Sequence, residues 1–218
     1  MAKILFVTTS HDRMLDGERT GLWLDEFTIP YLAFTSAGHA VTVSSVAGGL
    51  VPIDPRSEPT ASQVATWALA IEGLDATPAF HVLYADKFDA VFIPGGHGTM
   101  FDMPYNRALH ALLFSFEASG RVIAAICHAP AAFTGMRRPD GTPFVKDRTL
   151  AAYTDSEERA GQHAANVPFL LEERLRGLGA RQVIGNDFEP NAVTDGRLVT
   201  GQNPQSSAAV ATHVMKLL

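Results

Sequence analysis

The sequence predicts an α/β fold, a flavodoxin-like doubly wound sandwich in which helices cover both faces of a mostly parallel sheet. Short apolar runs rich in β-branched residues alternate along the chain with segments of helical length, and this alternation is typical of parallel sheets. The clearest runs are apolar throughout, as expected of strands that are covered on both faces. Right-handed crossover connections then distribute the helices over the two sides of the sheet.

The predicted strands begin with Lys3–Thr8, a continuous apolar run, and the strongest later candidates are 89–94 (DAVFIP) and 121–126 (RVIAAI). The other strand candidates are 40–46, 149–152, 181–184 and 197–200. Because ligands of doubly wound sheets bind beyond the carboxyl ends of the strands, the loops after these runs are where we expect a site.

Four segments have the length and spacing of helices, namely 21–37, 104–119, 168–178 and 204–218. The first has apolar residues at 22, 23, 27, 31 and 34, which follows helical periodicity. Two stretches, 48–80 and 134–148, fit the alternation poorly. We interpret them as insertions that decorate the sheet, so that residues 1–218 form a single domain.

Composition and charge exclude several classes of protein. The net charge of -6 and the lack of a basic run argue against nucleic acid as a partner. A single cysteine excludes an intrachain disulfide. No apolar segment approaches the ~20 residues of a membrane span, and the N-terminus lacks the features of a signal peptide. We therefore expect a cytoplasmic protein without a membrane partner.

The segment RVIAAICHAPAAF carries the clearest chemical signal. A predicted strand ends at Ile126, Cys127 follows, and an alanine-rich helical segment begins at once. Ala125 and Ala129 flank the cysteine as in the small-x-nucleophile-x-small elbow of α/β hydrolases. Such a turn lifts the sulfur above the sheet, near a helix N-terminus that favours a thiolate. We predict that Cys127 is a nucleophile rather than an inert packing residue.

The glycine loop at 94–98 (PGGHG) ends the preceding strand candidate. Glycine permits backbone conformations in which N–H groups converge on a ligand. In a doubly wound sheet this loop can lie beside Cys127, so that the amides of Gly95 and Gly96 serve as an oxyanion hole. A plain tight turn is the alternative. A phosphate loop is excluded, because no Lys-Ser/Thr pair follows.

A cysteine nucleophile usually works with a histidine and a carboxylate. The histidines with a suggestive context are His128, His97 and His163. Glu26 borders the apolar face of the first predicted helix, where a carboxylate needs a partner or a proton, and its neighbour Asp25 is the alternative. The remaining acidic candidates follow the strand candidate 149–152, where they are also typical of an ordinary helix N-terminus: Asp155, Glu157 and Glu158.

Five segments, in order along nearly the whole chain, resemble the ThiJ/PfpI superfamily, which shares its fold and cysteine elbow with class I glutamine amidotransferases. The chain is most similar to the branch of heat-shock chaperones and glyoxalase III. The matching segments are TGLWLDEFTIPYLAFTSAGHAVTVSS, DAVFIPGGHGTMFD, VIAAICHAPAAF, YTDSEE and DGRLVTGQNP.

The resemblance implies a role for several residues. Cys127 matches the family nucleophile, and His128 matches the triad histidine that directly follows it. Glu158 aligns with the acidic member of the triad, with Glu157 or Asp155 as the alternatives after a small shift in the alignment.

Two further features of the site follow from the same resemblance. Glu26 matches a protonated glutamate that hydrogen-bonds the cysteine sulfur. The backbone of Gly96 and the amide of His128 match the oxyanion-binding groups.

The activity that the resemblance implies is glutathione-independent conversion of methylglyoxal to lactate, without a metal or an organic cofactor. The expected partner is a small-molecule carbonyl substrate, and the expected assembly is a homodimer. Other members of the superfamily suggest alternatives: a holdase chaperone with unfolded clients, a protein deglycase with glycated clients, a cysteine amidase or a peptidase. An exposed thiol of low pKa would also suit a redox sensor.

Overall fold

The structure is a computed structural model that describes residues 1–83 and 85–218. Its main sheet has six strands in the order β2-β1-β3-β4-β8-β7. The strands of this sheet are β1 (Lys3–Thr8), β2 (Ala40–Ser45), β3 (Ala90–Ile93), β4 (Val122–Ile126), β7 (Ala192–Asp195) and β8 (Leu198–Gly201). A separate two-stranded sheet pairs β5 (Thr149–Leu150) with β6 (Arg181–Gln182). All pairs are parallel except β7 with β8, so the mostly parallel sheet is confirmed.

Helices cover both faces of the main sheet. The α-helices are α1 (Leu24–Ser36), α2 (Ala61–Glu72), α3 (Thr99–Asp102), α4 (Arg107–Ala118), α5 (Asp155–Ala160), α6 (Leu171–Gly177) and α7 (Ser207–Leu217). Short 3-10 helices occupy Pro55–Ser57, Phe80–Val82, Ala85–Lys87, Ala129–Phe133 and Pro204–Ser206. None of the helices in the described part of the chain is long and apolar enough to cross a membrane.

Alternate residues of the buried strands feed two separate cores. On one face Leu5, Val91 and Ile123 pack with residues of α4 and α6. On the other face Phe6 and Phe92 stack at 4.7 Å between ring centroids, within a core supplied by α1, α2 and α7. Because side chains alternate across a strand, apolar runs without polar interruptions are what such a two-sided core requires.

Three local predictions are corrected. The stretch 48–80, interpreted as a decorating insertion, contains α2, which buries Trp67 and Ala70 in the second core. The candidates 149–152 and 181–184 form the small sheet and not strands of the main one. The antiparallel edge strand β7 was not predicted, because its sequence AVTD is short and mixed in polarity.

The carboxyl ends of the central strands meet at one edge of the sheet. Neighbouring parallel strands place Ile93 beside Ala125 and Ile126 beside Gly201. The next residues along the chain, at the ends of β3, β4 and β8, are therefore brought together. The connections after these strands contain the glycine loop, Cys127 and Gln202.

Candidate active site

Cys127 occupies a sharp turn at the end of β4. Its φ is 60°, a left-handed conformation that is uncommon for a residue with a side chain. The turn is held on both sides, since the Cys127 amide donates to the Gly201 carbonyl and its carbonyl accepts from the Tyr153 amide, each at 2.9 Å. The predicted elbow is therefore present in the backbone geometry.

The segment after the elbow differs from the prediction. Instead of an α-helix, the short 3-10 helix Ala129–Phe133 follows Cys127. A five-residue 3-10 helix aligns few peptide dipoles, so it does not supply the thiolate stabilisation that we expected from a helix N-terminus. Instead, burial raises the pKa of the Cys127 thiol well above its usual range, and the nearby Glu26 raises it further. The resting group is a thiol.

His128 lies between the sulfur and a carboxylate. Its Nδ1 is 3.2 Å from Cys127 Sγ, and its Nε2 is 2.7 Å from Glu158 Oε2. All three residues are buried. Burial opposes the charge of Glu158, but His128 and His97 outweigh it and hold the pKa of the carboxyl well below its usual range. An ionised Glu158 accepts a hydrogen bond from Nε2–H, so the neutral ring has no proton on Nδ1, which faces the thiol.

The neighbouring acids have other partners. Glu157 is buried and accepts from Thr154, the residue that precedes α5, in a capping box. Asp155 lies beside α6, where its amide donates to Glu172 at 2.8 Å. Of the three acids left open by the sequence, Glu158 alone is hydrogen-bonded to His128 within the described residues.

Glu26 lies in the first turn of α1 with its side chain wholly buried, whereas Asp25 is half-buried. Its Oε2 accepts from the Gly95 amide at 2.8 Å. Burial raises the pKa of Glu26 to about 8, although the Cys127 thiol and the Gly95 amide both act to lower it. Glu26 is therefore protonated at neutral pH. Its Oε1 has no hydrogen-bond partner among the described residues, which leaves a buried carboxyl oxygen beside the thiol.

The glycine loop packs against both Glu26 and the elbow. A Cβ added to Gly95 would lie 2.6 Å from Glu26 Oε2 and 3.0 Å from the His128 amide nitrogen. The Gly95 amide is committed to Glu26 and is not free for an oxyanion. The amides of Gly96 and His128 donate to no acceptor in the part of the chain that the structure describes.

His97, from the same loop, also contacts the carboxylate. Its Nε2 is 2.9 Å from Glu158 Oε1, and its ring centroid is 4.0 Å from that of His128. Its Nδ1 is 3.1 Å from a guanidinium nitrogen of Arg56. His97 was singled out in the sequence, but neither this contact nor Arg56 was predicted.

His97, His128 and Glu158 each offer a ligand atom within 4.8 Å of the others, close enough for one metal ion. The two N–O distances of 2.7 and 2.9 Å are those of ordinary hydrogen bonds. Ordinary hydrogen bonds between the two histidines and Glu158 therefore account for this arrangement.

A small pocket opens onto Cys127. Its volume is about 90 Å³, which is below the ~300–1,000 Å³ of pockets for drug-sized ligands. Cys127 itself is 3% exposed. The lining residues are Trp23, His97, Cys127, His128, Tyr153, Phe188, Pro204 and Gln205. The sequence did not indicate Trp23, Tyr153 or Phe188, because an aromatic residue that lines a pocket has the same local pattern as one in a core.

Of the other histidines, one lies near the site and others lie away from it. His163 lies close to the site, in contact with Arg56, and its ring centroid is 5.2 Å from that of His97. Histidines that the sequence did not single out make local contacts elsewhere, such as His39 with the amide of Ala2 and His213 with Thr194.

Three comparisons with known proteins found similar sequences and a similar fold. The model of the DJ-1/PfpI family matches residues 24–217. Glyoxalase 3 of Candida albicans is 28% identical over 99% of this chain and 98% of its own length. The protein/nucleic acid deglycase HchA of Pseudomonas aeruginosa is 27% identical over 88% of this chain and 71% of its own length.

A solved structure has the same overall fold. The crystal structure of glyoxalase III from Candida albicans has a TM-score of 0.84 and 25% identity, and the match covers 99% of this chain and 96% of that one. The family model spans most of the chain and includes the elbow, the glycine loop and Glu158. The chain belongs to the DJ-1/PfpI family.

Proposed function

We propose that the protein is a glutathione-independent glyoxalase, a lyase that converts a small 2-oxoaldehyde such as methylglyoxal to the 2-hydroxy acid, here lactate. The observation that carries the proposal is the line from Cys127 Sγ through His128 to Glu158, at 3.2 and 2.7 Å, beside a protonated Glu26. The similarity to glyoxalase 3 over 99% of the chain supports the same assignment.

The first step joins the thiol to the aldehyde. Because the resting group is a thiol, attack on the aldehyde carbon requires its proton to leave at the same time. His128 Nδ1, 3.2 Å from the sulfur, takes this proton, and Glu158 stabilises the charge that develops on the ring. The amides of Gly96 and His128 are the proposed donors to the aldehyde oxygen. The His128 ring then returns the proton to that oxygen, which gives the hemithioacetal and leaves His128 neutral for the next step.

The second step moves hydrogen between the two carbons. A base removes the C1 proton of the hemithioacetal, and the electron pair forms an enediol whose C2 is then protonated. The result is a lactoyl thioester on Cys127. Water attacks the thioester carbonyl, the carbon–sulfur bond breaks, and lactate leaves as the thiol regains its proton. His128 is the proposed proton carrier, and Glu26 is an O–H donor to the substrate oxygen.

A protein deglycase is a second candidate, favoured by the similarity to HchA. Its substrate would be a glycated side chain on a folded or unfolded client. The narrow pocket and the 3% exposure of Cys127 favour a free small carbonyl over an adduct carried by a protein. Assaying release of the dicarbonyl from a glycated peptide, beside free methylglyoxal, separates the two candidates.

The test is methylglyoxal loss and lactate formation by the purified protein without glutathione. We expect Cys127→Ala to lower the rate by roughly 10³-fold or more, because the covalent step is lost. His39→Ala, which removes a histidine distant from the pocket, is the matched control and keeps activity. Equal lactate formation by wild type and Cys127→Ala, or none by the wild type, contradicts the proposal.

A further inference from the structure

Glu158 has one more histidine partner than a three-member triad needs. Its Oε2 is 2.7 Å from His128 Nε2, and its Oε1 is 2.9 Å from His97 Nε2. Both histidines are buried, with 1% and 4% of their surface exposed. A buried carboxylate is stable only when its oxygens are hydrogen-bonded, so the second contact fills an otherwise unmet need.

Arg56 sets the direction of that second hydrogen bond. A guanidinium nitrogen of Arg56 lies 3.1 Å from His97 Nδ1. Because a guanidinium only donates, Nδ1 must accept, and the single proton of a neutral His97 is placed on Nε2. That proton points at Glu158 Oε1. Burial lowers the pKa of His97 to about 4, with the nearby His128 adding to this effect, so the ring is neutral at physiological pH.

Arg56 is itself fixed from three sides. Asp54 is fully buried and pairs with the guanidinium, and it also accepts from Thr20 Oγ1 at 2.8 Å. The guanidinium lies 5.9 Å from the centre of the Trp23 ring, and it contacts His163. The result is a hydrogen-bonded chain from Asp54 through Arg56 and His97 to Glu158.

We infer that His97, oriented by Arg56, is a positioning residue that keeps the Glu158 carboxylate ionised and aligned on His128. His97 does this by occupying the oxygen that His128 leaves free. The inference rests on the proposed function for its rate measurement, but not for its measurement of thiol reactivity.

Loss of His97 changes the protonation of the triad. Without the His97 donor, Glu158 Oε1 is a buried carboxylate oxygen with one partner fewer, so its pKa rises towards neutrality. Once protonated, Glu158 no longer accepts the hydrogen bond from His128 Nε2–H and no longer orients the ring. Activity is then lost at a higher pH as the solution is acidified, and the acid limb of the pH profile moves upward.

Other titratable or charged groups face His97 and Glu158 and must stay unchanged for the comparison. They are Asp54 and Arg56 beside the 3-10 turn Pro55–Ser57, Glu26 on α1, Cys127 and His128 at the elbow, Tyr153 before α5, Glu157 on α5, and His163 after it.

Three variants of His97 separate positioning from packing. His97→Phe keeps a ring and removes both hydrogen bonds. His97→Gln retains a donor that reaches Glu158, whereas His97→Asn is a polar side chain too short to do so. The control is His39→Phe, distant from the pocket. All assays contain EDTA, so that a metal held by the two histidines and Glu158 does not contribute.

Two readouts are measured against pH: kcat/KM for methylglyoxal, and the rate of alkylation of Cys127 by iodoacetamide. We expect His97→Phe to lower kcat/KM by about 10- to 100-fold and to move the acid limb up by roughly one pH unit. His97→Gln should restore kcat/KM to within about 3-fold of the wild-type value and return the acid limb to its wild-type position. The alkylation profile shifts in the same direction, and it is measurable even if the wild type has no glyoxalase activity.

The inference is overturned if folded His97→Phe has the wild-type acid limb in both profiles, or if Gln restores no more than Asn does. If circular dichroism shows that the Phe variant is unfolded, the Gln and Asn pair decides alone. An inactive wild type whose alkylation profile still shifts in the variants supports positioning and rejects the proposed function.

Discussion

Cys127 combines a strained backbone with a neutral thiol. A non-glycine residue in the left-handed region costs of order 1–3 kcal/mol, so the surrounding structure must hold it there. Here the hydrogen bonds to Gly201 and from Tyr153 do so, at 2.9 Å each. In this conformation the sulfur lies 3.2 Å from His128 Nδ1. Because burial raises the pKa of the thiol, its reactivity depends on this alignment and not on a standing thiolate.

Gly95 shows how closely the site is packed, and it gives the first prediction at this scale. An added Cβ would lie 2.5 Å from the Ile126 carbonyl oxygen and 2.6 Å from Glu26 Oε2. We expect Gly95→Ala to lower the free energy of unfolding by about 1–3 kcal/mol, as overpacking does. Glyoxalase activity should fall with it, because both the elbow and Glu26 must move. Urea unfolding and the lactate assay measure the two effects.

Gly177→Ala is the matched control for that substitution. Gly177 ends α6, and an added Cβ meets nothing within 4 Å. This variant should be neutral or more stable by up to about 1 kcal/mol, because alanine loses less entropy in a helix. A Gly95→Ala protein as stable and as active as the Gly177→Ala protein would show that the loop has room that the structure does not indicate.

The sequence located Cys127 from local information, since a strand end followed by small residues is visible in one short segment. Helical spacing left Glu26 and Asp25 both open, the family resemblance favoured Glu26, and Glu26 is the buried acid of its helix. The second contact of Glu158 was not predictable in this way. His97 and Arg56 are 41 residues apart, and His97 and Glu158 are 61 apart. Only the folded sheet brings them together.

At the scale of elements, Glu157 connects α5 to the loop that borders the pocket. Its Oε1 accepts from the Phe188 amide and from Asn203 Nδ2, each at 2.8 Å. Its Oε2 accepts from Gln202 and from both the amide and the hydroxyl of Thr154. Phe188, which lines the pocket, has a φ of 59° that is uncommon for a bulky residue. One buried carboxylate therefore holds both the start of α5 and the wall of the pocket.

Glu157→Gln should destabilise both the start of α5 and the pocket wall at Phe188. A carboxamide of the same shape places an N–H₂ group where an acceptor is needed, so buried donors lose their partner. We expect the free energy of unfolding to fall by about 1–3 kcal/mol and KM for methylglyoxal to rise more than kcat falls, because Phe188 is released and the triad is not touched. Urea unfolding and steady-state kinetics test this.

Glu173→Gln on the exposed side of α6 is the matched control and should change neither quantity. If Glu157→Gln instead lowered kcat and left KM and stability unchanged, Glu157 would be acting in the chemistry and not in holding the loop.

The elements themselves were predicted unevenly for a physical reason. β1 was predicted with its observed bounds, since apolar runs between turns are distinctive. α2 was missed because its stretch opens with proline and glycine, and because most of its residues are exposed and its apolar face is narrow. The segment after Cys127 is alanine-rich and predicts an α-helix, but the structure has a five-residue 3-10 helix there that packs against α3 and α4.

At the scale of the whole molecule, Glu26 couples folding to pH. The carboxyl has a pKa of about 8 in the folded protein, raised by burial from its ordinary value of 4.5. Between these two values the folded state keeps a proton that the unfolded chain releases. Its contribution to stability is fully present below pH 4.5 and is lost as the pH rises towards 8. The loss is on the order of 1.4 kcal/mol per pH unit within this window.

Glu26→Gln removes this dependence without removing the acceptor for the Gly95 amide. Wild type should therefore lose stability relative to the variant between pH 5 and pH 8, by roughly 3–4 kcal/mol. Comparing two proteins cancels the other groups that titrate in this range, such as Asp102, whose pKa burial raises to about 6. Urea unfolding at both pH values gives the difference directly. Glu72→Gln, on an exposed position of α2, is the control and should leave the slope at its wild-type value. A difference between wild type and Glu26→Gln that stays constant from pH 5 to pH 8 would mean that Glu26 is already ionised in the folded protein, and the proposed O–H donor to the substrate would then be lost.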